Sequence, residues 1–185
     1  MIDDRPVPDD DGAADHLHGA SVPSVILPST LGGLLDIRDA ARDLLVVYVY
    51  PRTGRPGEPL PAGWDEIPGA RGCTPQSCAF RDHISDLAAH GASVIGVNTQ
   101  SPAEQLEFAR REHIPYPLLS DSELRLAETL GLPTFEAAGM TLYRRLTFIT
   151  RAAHIQKVFY PVFPPEHNAS DVLAWLSQPE STENA

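Results

Sequence analysis

The stretch Leu44-Leu45-Val46-Val47-Tyr48-Val49-Tyr50 decides the fold. It is apolar at every position, so both faces of the strand it forms must be covered. A run of seven is far short of the ~20 residues that cross a bilayer, which points to a central strand rather than a membrane helix. Outward from it, Ala92 to Asn98 (ASVIGVN) is a second strand of the same kind. Arg145 to Thr150 and His154 to Tyr160 form two more, joined by a turn. Between them lie helical segments. One opens at Thr74-Pro75 and runs to about His90, ending at Gly91. A second starts at the capped Ser101-Pro102-Ala103-Glu104, and a weak one runs from Ser122 to Leu130. A final helix is capped within Asn168 to Asp171 and continues through Trp175. Pro115 to Leu119 is short and extended, and Val25 to Leu27 pairs with Leu34 to Ile37 as a hairpin. Strands alternating with helices predict an α/β fold. Its mixed central sheet carries helices on both faces.

The 185 residues suit one domain. Residues 1–15 carry six Asp and one Arg, and Glu180 and Glu183 end the chain, so more than half of the net charge of −11 sits at the termini. This composition predicts a disordered acidic tail over 1–17, a domain over 18–177 and a flexible tail over 178–185. A single Lys (Lys157) among 14 basic residues gives no footprint for nucleic acid or an anionic membrane. With no basic-then-apolar leader at Met1, the expected location is the cytoplasm. Pro51 to Gly72 holds five Pro and five Gly and reads as a long loop, with Trp64 as its packing anchor.

The chemistry lies in Gly72-Cys73-Thr74-Pro75-Gln76-Ser77-Cys78. Cys73 falls where the loop meets a helix N-terminus, whose dipole favours a thiolate. Two thiols cannot complete a four-thiolate zinc site, and the seven His show no ligand spacing; His83 reads as a surface residue and His16 and His18 as inert. No metal site and no cofactor are expected. An offset of five on a helix places two Cα atoms ~8–9 Å apart, beyond the ~7 Å reach of a disulfide. A bond between Cys73 and Cys78 would need the first turn to unwind. The spacing suits either such a pair or two unrelated, inert thiols.

Four ordered blocks carry a resemblance: Val47-Tyr48-Val49-Tyr50-Pro51 followed by Gly72 to Asp82, then Val94 to Asn98, Pro115 to Asp121, and Arg145 to Ile149. Over roughly residues 18–177 the chain resembles the peroxiredoxins, most closely the bacterioferritin-comigratory or Q subtype. The resemblance implies a thioredoxin-like fold and cofactor-free reduction of hydrogen peroxide or organic hydroperoxides. Cys73 would be the peroxidatic nucleophile, passing through a sulfenic acid, and Cys78 the resolving thiol of an intramolecular disulfide. Thioredoxin or a similar dithiol would be the reductant, and the protein would be a monomer or weak dimer. Arg145 would stabilise the thiolate and orient the peroxide, and Pro51 would shield the pocket. The chain departs from the pattern in one place. Twenty-two positions separate Pro51 from Cys73 where the family has seven, an insertion of fifteen at about 52–70. The family's hydroxyl, three residues before the reactive Cys, falls on Ala70, leaving Thr53 or Thr74 to supply one. The rival readings are a thiol–disulfide oxidoreductase, which the absence of C-x-x-C disfavours, and a non-enzymatic redox sensor or binding module.

Overall fold

In the computed structural model, which describes residues 4–179, the strands are β1 (Ile26–Pro28), β2 (Leu34–Asp36), β3 (Leu45–Val49), β4 (Ser93–Asn98), β5 (Leu118–Ser120), β6 (Thr134–Ala137), β7 (Met140–Tyr143), β8 (Leu146–Arg151) and β9 (His154–Phe159). The helices are α1 (Ile37–Ala40), α2 (Cys73–Asp82), α3 (Ile84–Ala89), α4 (Pro102–Arg111), α5 (Arg125–Leu130) and α6 (Asn168–Leu176). β3 is buried throughout and sits at the centre of a five-stranded sheet ordered β5-β4-β3-β8-β9. It runs parallel to β4 and antiparallel to β8, so the sheet is mixed as expected.

Side chains alternate across the sheet. Val46, Tyr48, Val94 and Ile149 face α2, α3, α4 and α6 through Phe80, Leu87, Phe108 and Val172. Val47, Val49, Ile95, Val97 and Phe148 face the other way, onto Leu17, Leu27, Ile37, Leu126 and Leu130. The register Tyr48↔Thr147 and Val46↔Ile149 places Thr147 on the α2 face. Arg145, two residues before Thr147, shares that face.

Three expectations need correction, and one element has no counterpart among them. Residues 4–17 are not a free tail. Ala14 and Leu17 are buried in the second core, and a 3₁₀ turn spans Asp15–Leu17. Arg5 pairs with Glu166 at 2.6 Å and lies over the Phe163 ring at 5.6 Å. The Tyr160 hydroxyl donates to Asp11 at 2.8 Å, and His16 Nε2 donates to the Leu130 carbonyl at 2.9 Å. The composition is tail-like, but two apolar anchors and specific polar partners hold the segment down as a strap. Of the expected C-terminal tail, residues 180–185 lie outside the described residues.

Second, the helix expected from Thr74 to His90 is two helices, α2 and α3, broken at His83 (φ −99°, ψ 9°). Thr74 does not cap it. The helix starts two residues earlier than a Thr74 cap would place it, at Cys73 after Gly72 at φ 100°, and Pro75 sits in the first turn, where its missing N–H has no partner to lose. The element without a counterpart is the hairpin that joins β6 to β7 through Ala138 and Gly139, both at positive φ. Third, Asn168 starts α6 without a side-chain cap bond, because its side chain is turned inward. The Ser101 capping box, by contrast, forms as the sequence suggests: Glu104 N–H donates to Ser101 Oγ, and Ser101 N–H donates to the Glu104 carboxylate.

The inserted loop is anchored. Trp64 is buried with Ala70, Ala137 and Leu142, and its ring lies 6.3 Å from that of Phe135. The strap is a stability element too. Leu17→Ala is expected to cost ~2–5 kcal/mol, as for other fully buried leucines. A urea titration checks this, and a midpoint equal to wild type would return residues 4–17 to the status of a tail.

Candidate active site

Cys73 is the first residue of α2 and 4% exposed. The backbone delivering it is tightly constrained. Gly72 adopts a left-handed conformation, and a Cβ there would lie 2.6 Å from Pro165 Cγ and 2.9 Å from Arg5 Nη1. No other residue fits. Arg145, also buried, donates from Nη2 to Cys73 Sγ at 3.1 Å. The same nitrogen donates to the carbonyls of Gly69, Ala70 and Arg71 at 3.1, 3.3 and 3.1 Å. Nη1 donates to Gln76 Oε1, three residues along α2. Gln76 Nε2 in turn donates to Asn168 Oδ1 at 2.9 Å, which also accepts from Thr147 Oγ1 at 2.7 Å. A buried polar chain therefore runs from sheet to helices, and it holds one guanidinium against one sulfur. Such a cation, donating at 3.1 Å, also fixes where an incoming oxygen that bears negative charge can rest.

Cys78 lies on the next turn of α2, half-buried, and both thiols are free. Its Sγ donates to Glu112 Oε2 at 3.6 Å. Burial pushes this thiol up, and the Glu112 carboxylate adds to the effect. Between the two cysteines, Ser77 is fully buried: its Oγ accepts from the Tyr48 hydroxyl at 3.0 Å, and its carbonyl accepts from the Tyr116 hydroxyl at 2.7 Å. Burial drives the Tyr48, Tyr50 and Tyr116 phenols well above the usual tyrosine range, so they are neutral donors and packing surfaces.

A cavity of about 300 Å³ opens beside Cys73, walled by Arg52, Thr53, Trp64, Arg71 and Thr74 among others. Pro51 is buried at the end of β3; its neighbours Arg52 and Thr53, not Pro51 itself, form this wall. Of the two hydroxyls weighed as replacements at Ala70, Thr53 donates to Gln100 Oε1 at 3.1 Å and is tied down by its own N–H to the same oxygen at 2.8 Å. Thr74, which follows Cys73 in the chain, lines the same cavity. Ala70 contributes its carbonyl, which accepts from Arg145 and from Cys73 Sγ.

The profile of one family, Redoxin, matches residues 17–174. The chain belongs to the redoxin family. Among curated relatives this redoxin is 28% identical to the chloroplastic peroxiredoxin Q of Populus jackii, over 85% of the chain and 67% of that protein. A second chloroplastic peroxiredoxin Q, from Gentiana triflora, is also 28% identical, and the chain covers 65% of its length. It is 27% identical to peroxiredoxin Bcp of Escherichia coli, over 86% of the chain and 95% of that protein. Among solved structures it is similar to peroxidoxin BcpB from Mycobacterium tuberculosis. The TM-score is 0.69 and the identity 26%, covering 86% and 95% of the two chains. The similarity to peroxiredoxins of the Q and Bcp kind, and the thioredoxin-like fold, are as the sequence blocks suggest.

The structure of this redoxin brings Cys73 and Arg145 into contact and keeps Cys78 on the same helix. Sequence reasoning missed Gln76, Asn168, Thr147 and Glu112. For Gln76 a signal existed: it stands three residues after Cys73 and so on the same face of the helix. Asn168 and Glu112 lie 92 and 34 residues from their partners, and no local pattern marks them.

Proposed function

We propose that the protein is a thiol-dependent peroxidase in which Cys73 is the nucleophile, Cys78 the resolving thiol and Arg145 the charge-stabilising residue. The observation that carries this is the 3.1 Å contact from Arg145 Nη2 to Cys73 Sγ at the mouth of a helix and the wall of a cavity. The Cys73 thiolate attacks one peroxide oxygen, the O–O bond breaks, and the departing oxygen takes a proton to leave as water or an alcohol. Arg145, held against Cys73 Sγ at 3.1 Å, would bind the oxygen on which negative charge grows, and Thr74 lines the cavity beside Cys73. Cys73 is left as a sulfenic acid. The Cys78 sulfur then displaces the sulfenic oxygen, which leaves as water, and a disulfide forms. A dithiol such as thioredoxin reduces it by thiol–disulfide exchange. On this reading no metal or organic group takes part, the enzyme works in the cytoplasm, and the catalytic unit is a monomer or weak dimer.

The test is NADPH consumption coupled through thioredoxin and thioredoxin reductase, with hydrogen peroxide and an organic hydroperoxide compared. Turnover is expected with at least one of them, and Cys73→Ser abolishes it. Oxidation that stops at one equivalent in the wild type would instead identify a sensor.

A further inference from the structure

We propose that Glu112 holds Cys78 as a neutral thiol while α2 is folded, so that the resolving sulfur becomes a nucleophile only once the helix has unwound. The inference rests on the reading of Cys78 as the resolving residue and gives it a control element.

The two thiols of one helix face opposite charges. Cys73 meets the Arg145 guanidinium, a cation and a pure donor, at 3.1 Å. Cys78 meets the Glu112 carboxylate, a pure acceptor, which pairs with S–H and repels S⁻. Glu112 is fixed in that position from behind. Arg111 Nη1 donates to its other oxygen at 2.5 Å, and Arg81 Nη1 donates to its backbone carbonyl at 2.7 Å. The other groups facing Cys78 do not reverse the sign. Arg81 favours the thiolate, but its Nε is engaged by Asp82 at 2.8 Å, and Asp82 itself opposes a thiolate. From the sheet side Tyr48 and Tyr116 are neutral phenols.

Glu112 belongs to the segment after α4, not to α2. When the turn around Cys73 unwinds, Cys78 leaves the carboxylate behind and regains the acidity of an ordinary exposed thiol. The proton that Glu112 had kept on sulfur can then depart, and the sulfur can displace the sulfenic oxygen as water. In the folded enzyme the same contact leaves Cys73 as the sulfur that peroxide oxidises.

The experiment reads Cys78 alone, in a Cys73→Ser background, by the rate of iodoacetamide alkylation against pH. Glu112→Gln keeps an acceptor of the same shape and removes the charge. Its midpoint is expected to fall by about one pH unit, with alkylation near neutral pH faster by about tenfold. Oxidation of Cys78 by added hydrogen peroxide should accelerate in parallel. Glu112→Asp, which retracts the carboxylate but keeps its charge, gives an intermediate profile and guards against a Gln variant that folds poorly; circular dichroism of both establishes folding. A profile for folded Glu112→Gln that overlays the parent overturns the proposal. The readout needs no turnover, so a downward midpoint in a protein without peroxidase activity would sink the functional reading and leave the Glu112 contact standing.

Discussion

Arg145→Met is expected to slow the reaction of Cys73 with hydrogen peroxide by about 10²–10³-fold, the scale seen when one charge-stabilising donor is removed from a preorganised site. Two losses combine. The thiolate loses the donor at 3.1 Å, and the peroxide loses the group that anchors its charge-bearing oxygen. The substitution also carries a stability cost. Arg145 also ties down the carbonyls of three consecutive residues, Gly69 to Arg71, and the side chain of Gln76. Charge-assisted bonds of this kind contribute roughly 1.5–3 kcal/mol each when buried, so the melting temperature should fall as well. Stopped-flow rates with peroxide, taken well below that temperature, separate the two effects. A folded variant that reacts at the wild-type rate would make Arg145 a clamp for the loop and nothing more.

Oxidation should unfold the start of α2. Cys73 and Cys78 both lie in this helix, and an offset of five leaves their Cα atoms ~8–9 Å apart, too far for a relaxed bridge. The residues between them are the best-anchored of the segment. Gln76 bonds Arg145 and Asn168, and Ser77 bonds Tyr48 and Tyr116. A disulfide has to pull these apart; the neutral bonds are worth only ~0.5–1.5 kcal/mol each net and the one to Arg145 roughly 1.5–3, a cost that thiol oxidation can meet. Hydrogen exchange on reduced and oxidised protein should therefore show lost protection over residues 73–79 and in the Gly69–Arg71 approach. β3 stays protected. Cys78→Ser removes the difference and leaves Cys73 open to overoxidation. Full protection in the oxidised wild type would mean that the two thiols do not bond to each other, and the mechanism would be one-Cys or intermolecular.

The strand β3 is legible because a strand covered on both faces is apolar along its whole length, and β4 is nearly so; β8 and β9 are legible as two short β-prone runs either side of a turn, with β9 mixing polar and apolar residues as an edge strand does. The helix at Ser101 is legible because its cap is chemical and local. What escapes the sequence is held by distant partners. The strap looks like a disordered acidic tail because composition counts its Asp and Pro residues; its order comes from Arg5 with Glu166 and Asp11 with Tyr160, 161 and 149 residues away. The β6–β7 hairpin turns on Ala138-Gly139, which lacks the Asn-Gly or Asp-Gly pair that usually announces such a turn. The same division holds in the site. Cys73, Cys78 and Arg145 stand out in short motifs, and Gln76 and Thr147 lie within those motifs, whereas Asn168 and Glu112 come from other segments.

The strap also ties the state of the thiols to the beginning of the chain. Arg5 and Pro165 close over Gly72, and Pro8 rests on Gly69, with its Cβ 3.5 Å from where a side chain there would begin. The approach to Cys73 cannot swing outward without lifting the strap from Glu166 and Tyr160. Each catalytic cycle would then briefly loosen the strap. The redox state of two sulfurs would in this way be written into the backbone mobility of residues 5–17, well away from the cavity where peroxide reacts.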